Sequence, residues 1–305
     1  MKDYVSYKKK LGVSEQTADE YRYHLGTFLL YLNDRSIVKV EMISPEIIID
    51  YANLTVFASQ NVQYTNLCII KRFLKYLYDN GKLNKEVSHI VPKSKRVRQP
   101  KLPSTYSREE VLTMLTTVDR SSPKGKRDYA MLLLTARLGI RASDVSKLKF
   151  CEIDWEHNRI SIIQEKTKTP IELPLLPEVG EAIIDYIKYG RPISELPYIF
   201  LHVNSPYDRL NRSTLHSIVC QYMRLSGISF EMERHHGPHA LRHSLAALLL
   251  EKETPLPVIS EVLGHRNTES TRYYLRIDIN SMKQCMLDVP SVNPHFYRKD
   301  GEIDV

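Results

Sequence analysis

The chain has only four cysteines, Cys68, Cys151, Cys220 and Cys285, far apart and without a C-x-x-C pair. That spacing argues against a zinc ribbon, a redox dithiol or a disulfide scaffold, and leaves buried or idle thiols. No apolar run approaches the roughly 18 residues of a membrane span. The opening Met1–Lys10 lacks the apolar core of a secretory signal. A cytoplasmic protein with no membrane contact is therefore expected. Also missing are G-x-x-x-x-G-K-[ST], G-x-G-x-x-G, H-E-x-x-H and G-x-S-x-G. Their absence sets aside phosphate loops, dinucleotide folds, zinc proteases and nucleophile elbows. There is no internal repeat and no low-complexity tract.

What is present is length, an ordinary core and unevenly placed charge. At roughly 100–200 residues per domain, 305 residues favour two domains. The chain is 42% hydrophobic and 26% charged, the proportions of a globular protein. Its net charge is +7, yet between Lys71 and Lys101 ten basic residues face only Asp79 and Glu86. That stretch carries +8, ten less two, so the remaining chain sums to −1. A stripe of this kind suits a phosphate backbone, because each neutralised phosphate releases a counterion; the plainer alternative is a solvated face. The candidate DNA contacts are Lys71, Arg72, Lys75, Lys93, Lys95, Arg96 and Arg98.

The spacing of apolar residues predicts a mainly α protein with a small antiparallel β-sheet (α+β). Ser14 caps a helix through Asp34, with Leu25, Phe28, Leu29 and Leu32 at helical spacing. Ser44-Pro45 opens another over Glu46–Asn53. Thr65–Asn80 carries Leu67, Ile70, Phe73, Leu74 and Leu77 on one stripe, ended by Gly81. These form a helical bundle over 1–91. Residues 92–103 read as a basic linker with three prolines and no acid. A second domain, 104–287, opens with the capping box Ser107–Glu110. Arg127–Leu138 is an apolar helix closed by Gly139. Cys151–Asp154, Arg159–Gln164 and Ile171–Leu173 read as three short antiparallel strands. The chain after Pro177 is helical again, with loops at Arg191–Pro197 and His202–Asn211, and 288–305 is a C-terminal tail.

Three separated segments carry chemistry. In Leu138–Val145, Gly139 breaks one helix, Ser143 is a candidate cap for the next, and Arg141 stands at the junction beside helix-start amides, a place that favours an anion. In Pro238–His243, the i, i+3 spacing sets His239 and Arg242 on one helix face, with Leu241 and Leu245 turned toward a core. A histidine and an arginine there require an anion or an acid. In Leu263–Tyr274, Gly264 ends a helix, His265 sits in the turn, and Tyr273 and Tyr274 stand about 100° apart around the next helix. His235, His236 and His239 invite a metal, but no carboxylate or cysteine stands close by to complete the site.

Taken in order, Gly139-Ile140-Arg141-Ala142-Ser143-Asp144, the strand–turn–lysine pattern Ile153–Leu175, His239-Ala240-Leu241-Arg242-His243, and Leu263-Gly264-His265 with a tyrosine nine residues on resemble the tyrosine recombinases, the phage integrase family. The resemblance covers about residues 104–280 well and the N-terminal bundle loosely. It implies a helical core-binding domain followed by a recombinase catalytic domain. It also implies a site-specific DNA recombinase that cuts and rejoins strands through a 3′-phosphotyrosyl bond, in integration, excision or resolution. Tyr274 would be the nucleophile, Arg141 and Arg242 the phosphate clamp and Lys166 the general acid. His239 would assist proton transfer, and His265 would hydrogen-bond the scissile phosphate.

The chemistry suits these residues. A tyrosine with a pKa near 10 needs a proton acceptor or a cationic pocket. The pentavalent phosphate gains charge that two guanidinium forks can hold. No metal or nucleotide cofactor is implied. The implied partners are double-stranded DNA with specific core sites, a homo-tetramer on synapsed DNA and, as further partners, accessory proteins. The bundle begins almost at Met1, so no separate arm-site DNA-binding domain is expected. Where the family commonly has Glu-Leu, this chain has Asp144-Val145. Spacing selects Tyr274 over Tyr273 and Lys166 over Lys168. The rivals are a type IB topoisomerase-like relaxing enzyme and a non-catalytic DNA-binding factor.

Overall fold

The computed structural model describes residues 1–54, 57–95, 104–228 and 235–264. The chain divides into two units, Met1–Pro100 and Lys101–Val305. The architecture is the expected one, helices with one small antiparallel sheet.

The first unit holds α1 (Lys2–Lys10), α2 (Glu15–Asp34), α3 (Pro45–Leu54) and α4 (Gln60–Asp79). Ser14 caps α2, its hydroxyl accepting from the Thr17 amide at 3.3 Å. Ala18, Tyr21, Leu25, Phe28 and Leu32 recur every three or four residues on α2 and are buried. On α4 the stripe Leu67, Ile70, Phe73, Leu74 and Leu77 turns inward, while Lys71, Arg72 and Lys75 are exposed. Helix α4 starts well before Thr65, at Gln60 with Ser59 as its cap. Its first turn is polar, so apolar spacing gives no sign of it. Helix α1 was not expected either, because its lysines hide a short stripe. Tyr4 and Val5 anchor it, with the Tyr4 ring edge-on to Phe73 at 5.3 Å. A polar group sits inside the bundle: buried Asn66 meets His24 Nδ1 at 3.2 Å and accepts from the Tyr51 hydroxyl at 3.2 Å.

The second unit begins with α5 (Arg108–Thr116), whose capping box is formed in both directions. Helix α6 (Pro123–Leu138) follows, capped by Ser122. Ala130 through Leu134 are 0% exposed, so α6 is covered on every side and forms the axis of this unit. Gly139 closes it in the left-handed region at φ 62°, a conformation that favours glycine. Then come α7 (Ala142–Val145) and the strands β1 (Ile153–Asp154), β2 (Arg159–Ile163) and β3 (Pro170–Pro174), in order β1-β2-β3, all antiparallel. Ile160 pairs with Leu173 and Ile162 with Ile171 on the buried face. Helices α8 (Pro177–Tyr189), α9 (Arg212–Leu225), α10 (Pro238–Glu251) and α11 (Leu256–Val262) complete the described part.

Two local expectations are corrected. Arg141 is the N-cap of α7, whereas Ser143 lies inside that helix with its hydroxyl on Asp144. The first strand starts at Ile153, because Phe150–Glu152 form a 3-10 turn.

An ion pair is buried among the described residues of this unit. The Arg127 guanidinium donates to Asp128 Oδ1 at 2.9 and 2.7 Å and to the Leu201 carbonyl at 3.2 Å. Asp128 Oδ2 accepts from the Tyr222 hydroxyl at 3.4 Å, so α6 is tied to α9 and to the 201 segment. Removing one partner of such a pair strands a buried charge. Asp128→Ala is therefore expected to cost about 3–5 kcal/mol in urea denaturation; a loss within the error of the measurement would contradict this account.

Candidate active site

The two candidate arginines are held by the carbonyls that end helices. Arg242, on α10, is 4% exposed. Its Nη1 donates to the Gly139 carbonyl at the end of α6, and its Nη2 to the Leu263 carbonyl at the end of α11. Arg141 Nη2 donates to the next carbonyl, Gly264, at 3.1 Å. Carbonyls at a helix C-terminus have no partner within the helix and carry the negative end of its dipole. Guanidinium groups suit them on both counts. Two successive carbonyls of one turn thus bring the two arginines together. Gly264 takes φ +56° to make that turn, and His265 is the next residue in the chain.

Lys166 and Lys168 are both exposed in the turn between β2 and β3. That turn is closed by Gln164 N–H on the Thr169 carbonyl at 3.0 Å and Lys168 N–H on the Gln164 carbonyl at 2.9 Å. It is also pinned from α7. The Glu165 N–H donates to Asp144 Oδ1 at 2.9 Å, and the Glu165 carboxylate pairs with Lys147. Helix α7, with Arg141 at its N-cap, therefore supports the turn of Lys166 one residue ahead of the lysine. Asp144 is buried, which raises its carboxyl above the usual range; the Glu165 N–H and the nearby Arg141 charge pull it partly back. That its partner is the Glu165 N–H of the distant hairpin was not legible in the sequence.

His239 is exposed on the first turn of α10. The i, i+3 spacing does not give it the same environment as buried Arg242. Leu241 is buried as expected, while Leu245 is only half-buried. The His239 ring lies over that of His243, 6.4 Å between centres and 30° between planes. The segment leading into α10 is stitched to the start of the second unit. The Tyr106 hydroxyl meets His236 Nδ1 at 2.8 Å and donates to the His235 carbonyl at 3.3 Å. The Tyr106 N–H reaches the Ser244 hydroxyl at 2.7 Å, and the His235 N–H reaches the Ser104 hydroxyl at 2.7 Å. Among the described residues, no three His, Cys, Asp or Glu side chains form a group able to hold a metal.

The basic candidates of the first unit divide. Lys71, Arg72, Lys93 and Lys95 are exposed. Lys75 is drawn to Asp79 at 3.3 Å and to Glu86 at 3.9 Å, and Lys82 to Asp3 at 3.2 Å. Arg96 and Arg98 lie outside the described residues, as do His265, Tyr273, Tyr274, the helix expected over Ile277–Leu287 and the tail 288–305. Among the described residues, no helix is long and apolar enough to cross a membrane.

Burial, with the charges of His239, Arg242 and His235, pushes His243 down to about 4 from an ordinary 6.5. In the folded protein it stays neutral over a range where the unfolded chain takes up a proton. Stability contributed by this group is complete above pH 6.5 and is lost as the pH falls toward about 4. His243→Gln is therefore expected to flatten the decline in urea midpoint over that window. An unchanged slope would contradict the assignment.

Comparison with known proteins identifies the family and the fold. The profile of the phage integrase family matches residues 105–280, more than half of the chain. A Sinorhizobium fredii protein carrying an integrase/recombinase name, y4gC, is 34% identical over 190 residues, covering 62% of this chain and 97% of that protein. A second from the same organism, y4rA, is 33% identical over 247 residues, covering 78% of this chain; the chain spans 59% of its length. Tyrosine recombinase XerA of Pyrococcus furiosus is 26% identical over 296 residues, covering 94% of this chain and 92% of XerA.

Among solved structures, XerH bound to difH before cleavage has a TM-score of 0.70 at 19% identity, covering 92% of this chain and 84% of that one. A lambda integrase dimer on a COC′ core site has a TM-score of 0.68 at 20% identity, covering 90% and 93%. A lambda integrase tetramer on a Holliday junction has a TM-score of 0.68 at 18% identity, covering 90% and 75%. At these identities the structures establish the fold. On the family profile and the y4gC match, the chain belongs to the phage integrase family of tyrosine recombinases.

Proposed function

We propose that the protein is a site-specific DNA recombinase that cuts and rejoins strands through a 3′-phosphotyrosyl intermediate. The observation that carries this reading is the pair of guanidinium groups, Arg141 and Arg242, on successive carbonyls of the turn that leads to His265. Each guanidinium has five N–H donors in a plane, and the carbonyl bonds set that plane. Such preorganised donors favour the phosphorane over the ground-state phosphodiester.

Tyr274 attacks the phosphorus, with His239 accepting its proton, and the P–O5′ bond breaks. Lys166 delivers a proton to the leaving 5′-oxygen, and His265 hydrogen-bonds a non-bridging oxygen. A 5′-hydroxyl from another strand then reverses these steps, releasing the tyrosine. Asp144 supports both sides of the site, holding the turn of Lys166 beside Arg141. The bond energy is kept in the phosphotyrosine, so the scheme uses no nucleotide or metal.

The first unit acts as the core-binding domain over 1–91, the segment 92–103 as a basic linker, and 104–287 as the catalytic domain. Lys71, Arg72, Lys93, Lys95, Arg96 and Arg98 contact phosphates; Lys75, shared with two acids, contributes less. Four protomers hold two synapsed sites, a reading supported by the tetrameric assembly of one structural neighbour. The work is done in the cytoplasm and consists of integration, excision or resolution, as for a mobile element.

Covalent trapping tests the reaction. Nicked duplexes drawn from the DNA bordering the coding region are incubated with protein and resolved under denaturing conditions. A protein–DNA adduct is expected from wild type and not from Tyr274→Phe. Loss in Tyr273→Phe alone would move the nucleophile by one residue. No adduct on DNA that the protein binds would overturn the strand-transfer reading in favour of a binding factor. Arg141→Ala and Arg242→Ala are each expected to slow adduct formation by about 10²–10³.

Salt titration of DNA binding tests the first unit. Lys71→Ala and Arg72→Ala should each reduce the slope of log K against log salt by about one, and Lys75→Ala by less. Equal slopes for all three variants and wild type would remove α4 from the DNA-contacting surface.

A further inference from the structure

Gln164 directly follows the second strand and is 1% exposed, although Ile163, Glu165 and Lys166 beside it are all exposed. An amide side chain buried at the tip of an exposed hairpin is costly unless it is used. Its Oε1 accepts from the Thr167 hydroxyl at 2.8 Å, so one end of the carboxamide braces the residue that follows Lys166. The other end lies against Gly264. A methyl group at position 264 would stand 2.2 Å from Gln164 Nε2 and 2.7 Å from its Cδ. Glycine is therefore required there twice, for φ +56° and to admit this carboxamide. The Gly264 carbonyl is the acceptor for Arg141. One side chain thus touches the turn of the candidate proton donor and the turn that seats an arginine and leads to His265. Asp144 holds the same hairpin through the Glu165 N–H.

We propose that Gln164 is a positioning residue for strand transfer: its carboxamide sets the spacing between the Lys166 turn and the Gly264 turn, and so places the proton donor at the leaving 5′-oxygen. The inference rests on the strand-transfer reading above. Because Gln164 acts through Lys166, its loss impairs protonation of the leaving group and leaves the arginine clamp in place.

The test changes the leaving group. Once trapping has mapped the cleaved phosphate in the nicked duplex, two duplexes are made, one ordinary and one with sulfur replacing the 5′-bridging oxygen. In the second, the tyrosine oxygen–phosphorus bond forms, the P–S bond breaks and a thiolate departs without needing a proton. General-acid catalysis contributes typically 10²–10⁴, so a displaced donor should cost a part of that. Gln164→Ala is expected to slow cleavage of the ordinary duplex by about 10–100-fold, with DNA affinity unchanged. On the sulfur duplex the deficit should shrink to about threefold or less, as for Lys166→Ala, whereas that of Arg141→Ala should persist on both.

Thr167→Val removes only the hydroxyl that meets Gln164, and should show the same pattern more weakly. It carries the test if Gln164→Ala does not fold. Equal deficits on both duplexes, or none on either, would overturn the role of Gln164 while leaving the reaction intact. Wild-type protein that cleaves neither duplex would overturn the strand-transfer reading, and this inference with it.

Discussion

A helix ends with carbonyls that have nothing to bond to, and a buried guanidinium has a charge that something must meet. The second unit answers both needs with the same contacts. The last carbonyls of α6 and α11 accept from Arg242, and the carbonyl of Gly264 accepts from Arg141. These helix-end carbonyls orient the two guanidinium groups through their dipoles, and a guanidinium bonded to a carbonyl keeps its positive charge. The fully buried axis of α6 supplies the rigidity, since its C-terminus cannot shift without disturbing the core around it.

The same economy appears around α7. This helix is only four residues long, yet Arg141 caps its start, Asp144 reaches the Glu165 amide and Lys147 reaches the Glu165 side chain. A short helix wedged between the end of α6 and the β2–β3 turn lets the two sides of the site share a foundation. Burial keeps the Asp144 carboxyl above its ordinary range, and the adjacent Arg141 offsets part of that cost. Replacing Glu by the shorter Asp is compatible with this work because its partner is a donating backbone N–H of the hairpin, that of Glu165.

Much of this was legible in the sequence. The caps Ser14 and Ser107, the breakers Gly139 and Gly264 and the alternation Ile160, Ile162 mark local preferences that the packed protein keeps. The order of the motifs was enough to find both arginines. What was not legible depends on residues far apart in the chain. Nothing near Gln164 announces that it will lie under Gly264, and nothing near Tyr106 announces His236. Lys75 read as an open cation although Asp79 stands four residues on along its helix; its second acid, Glu86, comes near only in the folded chain. Helix α1 was missed for a local reason: two buried residues among lysines are too few to show a period.

The contacts of Ser104 and Tyr106 bear on where the catalytic unit begins. Read from its first helix, that unit would start at the Ser107 cap. In three dimensions the residues before the cap form part of its floor, because Ser104 and Tyr106 hold His235, His236 and Ser244 around the start of α10. A fragment cut at Ser107 would keep every catalytic candidate of the second unit and yet lose the bonds that seat the helix bearing two of them. By these contacts the second unit reaches back at least to Ser104, ahead of its first helix cap.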